Sequence, residues 1–190
     1  ERKIKYVFGI IGAGNAHIFD SIHNLGYTQI VCVHHEQAAC MAIQTFYRTR
    51  GEITAALLTT GAGSTNGITG VVSAWADSIP GIIISGNEHF KYVSSHKNLR
   101  MWGVQGYDSS LMVEKVTKYA KRVESPNQIM FELEKAYEIA LDGRKGPCWI
   151  DIPMNVQSEN TIDGKEEKIE VINHEVIENK EISNQIQTIV

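Results

Sequence analysis

The sequence predicts an α/β fold: a three-layer, doubly wound sheet, mainly six parallel strands with helices on both faces. Three observations carry that expectation. Short apolar runs rich in Val and Ile recur at residues 6–11, 29–33, 54–60, 81–85, 119–123 and 148–152, mostly without strict alternation, as strands buried on both faces require. Segments with helical spacing lie between them, and alternating strands and helices build a parallel sheet. Unusual loops follow the first three strands, at the edge where an open α/β sheet receives its ligand.

The first run passes through Gly12-Ala13-Gly14-Asn15 into a segment whose Ile18, Ile22 and Leu25 share one helical face, with Gly26 as the stop. After the second run, His34-His35-Glu36-Gln37-Ala38-Ala39 opens a small-residue helix reaching about Tyr47, with Ala38, Ala39, Ala42 and Phe46 on its stripe and Gly51 beyond it. A carboxylate at that seam, Glu36, faces a cleft if the strand is interior. The third run ends in Thr59-Thr60-Gly61-Ala62-Gly63-Ser64-Thr65-Asn66-Gly67, and Val71, Val72 and Trp75 continue as a helix. Ser125-Pro126 opens another, an N-cap and a Pro at N1 ahead of Ile129, Leu133, Ala136 and Ala140. After Ile152-Pro153 the composition turns to Asn, Glu, Lys and Ile. One domain is therefore expected over residues 1–156 and a linker over 157–180. Ile182, Ile186 and Ile189-Val190 resume helical spacing, read as the truncated start of a following domain over 181–190.

With 190 residues, 43% of them hydrophobic and 21% charged, the chain can bury a real core. Its net charge of −4 gives no electrostatic basis for a nucleic acid or an anionic membrane as partner, so a small-molecule ligand is expected. Cys32, Cys40 and Cys148 are odd in number and lack metal-type spacing, which fits core thiols in a reducing compartment. The charged start Glu1-Arg2-Lys3-Ile4-Lys5 runs into a strand, and no apolar stretch approaches the roughly 20 residues that span a bilayer. A cytoplasmic location is the expectation.

Glycine in the three loops lets backbone amides approach a ligand, although tight strand-to-helix turns use glycine for their own reasons. Glu36 at a helix start is also what a solvated carboxylate facing the helix dipole would look like. His34-His35 is a poor metal pair, since neighbours on an extended segment point to opposite faces and no third ligand has helical spacing to them. A dinucleotide site would use Gly12-x-Gly14 with Glu36 on the ribose, but His17 stands where its third glycine belongs.

Further motifs occur in order: Val7-Phe8-Gly9-Ile10-Ile11-Gly12, His35-Glu36-Gln37-Ala38-Ala39, Tyr47-x-Arg-x-x-Gly51, Thr60-Gly61-x-Gly63-x-x-Asn66, Asp77-Ser78-x-Pro80 and Ile84-x-Gly86. Gly103-Val104-Gln105, Thr117-Lys118-Tyr119-Ala120 and Gly146-Pro147-x-x-Ile150-Asp151-Ile152-Pro153 follow. From Val7 to Val156 the chain resembles the pyrimidine-binding domain of a thiamine-diphosphate enzyme, closest in pattern to acetolactate synthase and its relatives, the decarboxylases and carboligases of 2-keto acids.

The resemblance implies that Glu36 hydrogen-bonds N1′ of the aminopyrimidine and favours the imino tautomer whose N4′ takes the thiazolium C2 proton. It implies that Gly12, Thr60, Gly61, Gly63 and Asn66 line or shape the pyrimidine pocket and that Gln105 points toward a 2-keto acid substrate. The diphosphate and Mg²⁺ would be held by a domain carrying Gly-Asp-Gly and a later Asn, absent here and located in the same chain or in a second subunit of a split enzyme. Two pyrimidine domains would pack together, through the helix of Glu36, in a homodimer or homotetramer. This chain alone would then be inactive. Two positions depart from the family pattern: Ala62 stands where Pro is usual, and Gly106 where a Glu follows the Gln. The segment 87–101, with Glu88, His89, His96 and Arg100, is longer than in ordinary acetolactate synthases and is either a surface loop or a contact for a polar substrate.

Overall fold

The computed structural model describes residues 4–93, 100 and 103–159. Its six strands are β1 (Tyr6–Gly9), β2 (Gln29–Cys32), β3 (Ala55–Leu58), β4 (Gly81–Asn87), β5 (Tyr119–Arg122) and β6 (Pro147–Pro153). They form one sheet in the order β2-β1-β3-β4-β6-β5, and every neighbouring pair is parallel. Each strand falls on one of the six apolar runs. Burial follows the order: all residues of β3 and β6 are buried, while the edge strands β2 and β5 are partly open.

Helices α1 (Ala16–Leu25), α2 (Glu36–Arg50), α3 (Ala62–Asn66), α4 (Ile68–Ala76), α5 (Ser109–Val113), α6 (Ile129–Leu141) and α7 (Met154–Ser158) cover both faces. Successive strand side chains point to opposite faces, and two cores result. Ala55, Leu57, Ile82, Cys148, Ile150 and Ile152 pack with Phe19 of α1, Ala136 and Ala140 of α6 and Val156 of α7. Ala56, Leu58, Ile83 and Trp149 pack with Ala39, Cys40 and Ile43 of α2, Val71 of α4 and Val113 of α5. The small Ala39 and Cys40, both essentially buried, let α2 lie close to the sheet.

Gly26 and Gly51 end α1 and α2 in the left-handed conformation, at φ 67° and 71°. Pro126 opens its segment at N1, but Ser125 makes no side-chain cap, and a 3₁₀ turn over Pro126–Gln128 precedes α6. Helices α5 and α7 carry no periodic signal in the sequence because each is five residues long. The boundary expected at residue 156 falls inside α7. Residues 160–190, which include most of the expected linker and the expected following domain, lie outside the described residues, as does His96.

Candidate cofactor site

The loops after β1, β2 and β3 meet at one edge of the sheet, and glycines set how closely. A Cβ on Gly12 would collide with Thr59, one on Gly14 with Thr60, and one on Gly86 of β4 with the backbone of Gly14. Asn15, fully buried, ties the first loop to itself: Gly12 N donates to its Oδ1 at 2.8 Å, and its Nδ2 donates to Ile10 O at 3.1 Å. Gln157 of α7 closes the loop from outside, its Nε2 donating to Gly14 O at 2.7 Å and to Ile152 O at 2.6 Å. Local pattern gave Asn15 only a turn role. It had no means to find Gln157, whose partner lies 143 residues away.

Glu36 is the first residue of α2 and is 8% exposed, so the solvated-carboxylate alternative fails. Its helix is capped by the preceding residue, with Gln37 N donating to His35 Nδ1 at 3.2 Å. Asn66 Nδ2 donates to Glu36 Oε2 at 3.0 Å. The other oxygen, Oε1, has no donor among the described residues, and it lies 2.9 Å from where a Gly63 Cβ would be, so only a glycine lets the backbone pack this closely against it. One turn along α2, burial pushes the Cys40 thiol up to about 12, with the Glu36 charge adding to the effect, which keeps the sulfur protonated and inert.

The expected residues are therefore brought together in linked pairs. Glu36 meets Gly63 and Asn66, Thr59 bridges the Gly12 and Gly63 positions, and Gly61 (φ 65°) lies under Gln105. Ala62 N donates to Gln105 Oε1 at 3.3 Å. Thr60 Oγ1 is buried without a hydrogen-bond partner among the described residues. His34 and His35 are exposed, and no group of three or more His, Cys, Asp or Glu able to hold a metal occurs among the described residues.

A second carboxylate at this edge escaped the sequence reading. Asp151 of β6 is fully buried, and three side chains donate to it: Ser85 (2.6 Å), Asn87 (2.7 Å) and Ser109 (3.1 Å). Burial pushes its carboxyl up to about 7, against the pull of those donors and helped by the charge of Asp108. An Asp inside an apolar run was visible; its partners on β4 and α5 were not.

The donor set suits a flat heteroaromatic ring. A buried carboxylate oxygen without a described donor can bond a ring nitrogen, glycines let backbone come close to a ligand, and Thr60 Oγ1 has no partner among the described residues. An α/β domain presenting one such carboxylate at its loop edge is a cofactor-binding module. The description "Thiamine pyrophosphate enzyme, N-terminal TPP binding domain" belongs to the family matching residues 1–111, and the chain is a member of that family. The acetolactate synthase large subunit of Haemophilus influenzae is 36% identical over 157 residues, and the isozyme 3 large subunit of Escherichia coli 33% over 159. A probable acetolactate synthase large subunit of Methanocaldococcus jannaschii is 32% identical over 154. These matches cover 83%, 82% and 81% of this chain and 26%, 26% and 25% of the relatives, so the chain spans about a quarter of their length. Membership in this family displaces the dinucleotide-binding alternative.

Proposed function

We propose that this chain is the pyrimidine-binding domain of an acetolactate synthase-like enzyme that acts on 2-keto acids by decarboxylation, carboligation or both. The observation that carries the reading is Glu36, buried at the head of α2 with Asn66 on one oxygen and no described donor on the other. Thiamine diphosphate, when bound, supplies a carbon nucleophile and an electron sink for bond changes next to a carbonyl. The chain's own part is to hold and orient it.

Glu36 would hold a proton between its Oε1 and a ring nitrogen, an exchange favoured in a partly dry cleft. With Asn66 bonded to Oε2, Oε1 would be the oxygen left for the ring. Gly12, Gly61 and Gly63 would shape the pocket walls, Thr60 would offer its hydroxyl, and Gln105 at the rim would meet the substrate. Mg²⁺ and the diphosphate belong, on this reading, to a domain that these residues do not contain, so the 190-residue chain alone has no turnover.

A second copy of the domain is the proposed partner. Met41 on α2 and Val72 and Trp75 on α4 are exposed apolar side chains on two helices that pack against each other. Covering them in a dimer would bring two Glu36 helices together. No described helix is long and apolar enough to cross a membrane, and a cytoplasmic enzyme is proposed.

The test is Glu36→Gln in the complete enzyme, which keeps the shape and removes the proton-holding anion. Turnover is expected to fall roughly 100- to 10,000-fold, the range for loss of a positioned acid–base group. Thiamine diphosphate binding by calorimetry should persist within a few-fold. Unchanged turnover would overturn the assignment.

A further inference from the structure

Asp151 takes no part in the contacts around Glu36, yet its partners lead to the same rim. Ser85 and Ser109 hydroxyls both donate to Oδ1, and Trp149 Nε1 donates to those hydroxyls at 3.0 and 3.3 Å, which turns both of their protons toward Asp151. Asn87 is fixed as well. Its Oδ1 accepts from Glu88 N at 2.8 Å, so its two Nδ2 hydrogens are left for Asp151 Oδ2 at 2.7 Å and Tyr107 O at 2.9 Å.

The consequence is a chain segment tied at three consecutive residues. Asn87 holds the carbonyl of Tyr107, Asp108 pairs with Arg122 Nη1 at 3.1 Å while capping α5 through Ser110 N at 3.1 Å, and Ser109 is bonded to Asp151. Two of the three ties end on Asp151. Gln105 lies two residues before the first tie. Its side chain is exposed and held by one long hydrogen bond from Ala62 N, so its direction depends on the backbone that carries it.

We propose that Asp151 is a positioning residue for Gln105: through Asn87 and Ser109 it fixes the Tyr107–Ser109 turn, which seats the Gln105 amide on the Gly61–Ala62 rim. The role of Gln105 toward substrate rests on the function proposed above. An Asp suits the post where an Asn does not. Once ionised, Asp151 offers two acceptor oxygens to three donors, whereas an Asn amide nitrogen turned to either side would meet Asn87 Nδ2 or the Ser85 and Ser109 hydroxyl protons, donor against donor. The energetic logic is that of a site whose support is locked by hydrogen bonds from rigid strands.

The experiment uses the complete enzyme with Asp151→Asn, Gln105→Ala and the double variant, read by amide hydrogen exchange and by kcat/KM for a 2-keto acid. Asp151→Asn is expected to raise exchange over residues 103–110 while β4 and β6 stay protected. It should also lower kcat/KM roughly 10- to 100-fold, the scale of a misplaced positioning group, with cofactor affinity unchanged. In the Gln105→Ala background it should cause no further loss. Exchange rising equally across β4 and β6, or losses that multiply in the double variant, would overturn the proposal. If Asp151→Asn does not fold, Ser109→Ala removes one tie and leaves the carboxylate two donors, and it carries the same expectations. If Gln105→Ala leaves kcat/KM unchanged, the substrate role of Gln105 falls and exchange alone decides for Asp151: local loosening supports it, unchanged protection overturns it.

Discussion

Two buried carboxylates stand at the same edge of the sheet, and they are held in opposite ways. Glu36 heads a helix, keeps 8% exposure and receives one described donor, from Asn66. Its other oxygen is approached by the Gly63 backbone, which a side chain there would hold away. Asp151 sits inside a central strand, has no exposure, and receives three donors that match its two oxygens. The first leaves Oε1 without a donor among the described residues, as a group meant for a ligand must. The second is satisfied by the protein itself, and so works on structure. Burial alone does not distinguish a binding carboxylate from a supporting one; the count of donors around each oxygen does.

The largest test of that contrast concerns proton linkage at Asp151. Its carboxyl rises from 3.8 in an ordinary setting to about 7 in the fold. Below about pH 4 it is protonated folded or unfolded. As pH climbs toward 7 the unfolded chain ionises while the folded Asp151 keeps its proton, so this group's stabilising share is lost over that window, on the order of 4 kcal/mol. Asp151→Asn removes the titration, so the variant should gain on the parent as pH rises from 4 to 7 in urea unfolding. Parallel pH slopes would show that burial does not raise the Asp151 carboxyl in the folded protein. The neighbouring charges of Asp108 and Arg122 remain in both proteins.

A smaller effect probes the rim. Gly14→Ala drives a methyl group into Thr60 and should destabilise the fold by about 1–3 kcal/mol, the usual cost of overpacking. The pH slope at Asp151 should stay as it was, and chemical unfolding at two pH values checks both. The smallest expected change is Thr60→Val. Its hydroxyl is buried and has no partner among the described residues, so an isosteric methyl should leave stability within about 0.5 kcal/mol or raise it. Thiamine diphosphate affinity, measured by calorimetry on the complete enzyme, should nevertheless fall. A stability loss above 1 kcal/mol would mean the hydroxyl already has a partner in the free protein.

The sheet was legible because β3, β4 and β6 are buried on both faces, and such strands read as mainly apolar stretches without polar alternation, AALL in β3, GIIIS in β4 and PCWI in β6. Helices α1, α2, α4 and α6 were legible from one apolar stripe each and from Gly26 and Gly51. Glu36 stood out because an acid between an apolar strand and a small-residue helix has few other reasons to be there. Helices α5 and α7 and the 3₁₀ start at Pro126 were not legible, since three to five residues hold too little periodicity.

The sequence by itself determined the α/β class, the six strands, the order of the loops and the carboxylate at the second of them, because each is written within a dozen neighbouring residues. Only the tertiary structure decided which oxygen of Glu36 bonds Asn66, that Gln105 lies on Gly61, that Gln157 clamps Gly14, and that Asp151 gathers Ser85, Asn87 and Ser109. Those contacts join residues between 30 and 143 positions apart, from Asn66–Glu36 to Gln157–Gly14. Parallel strands brought side by side by crossover helices create such neighbours, and no local pattern encodes them.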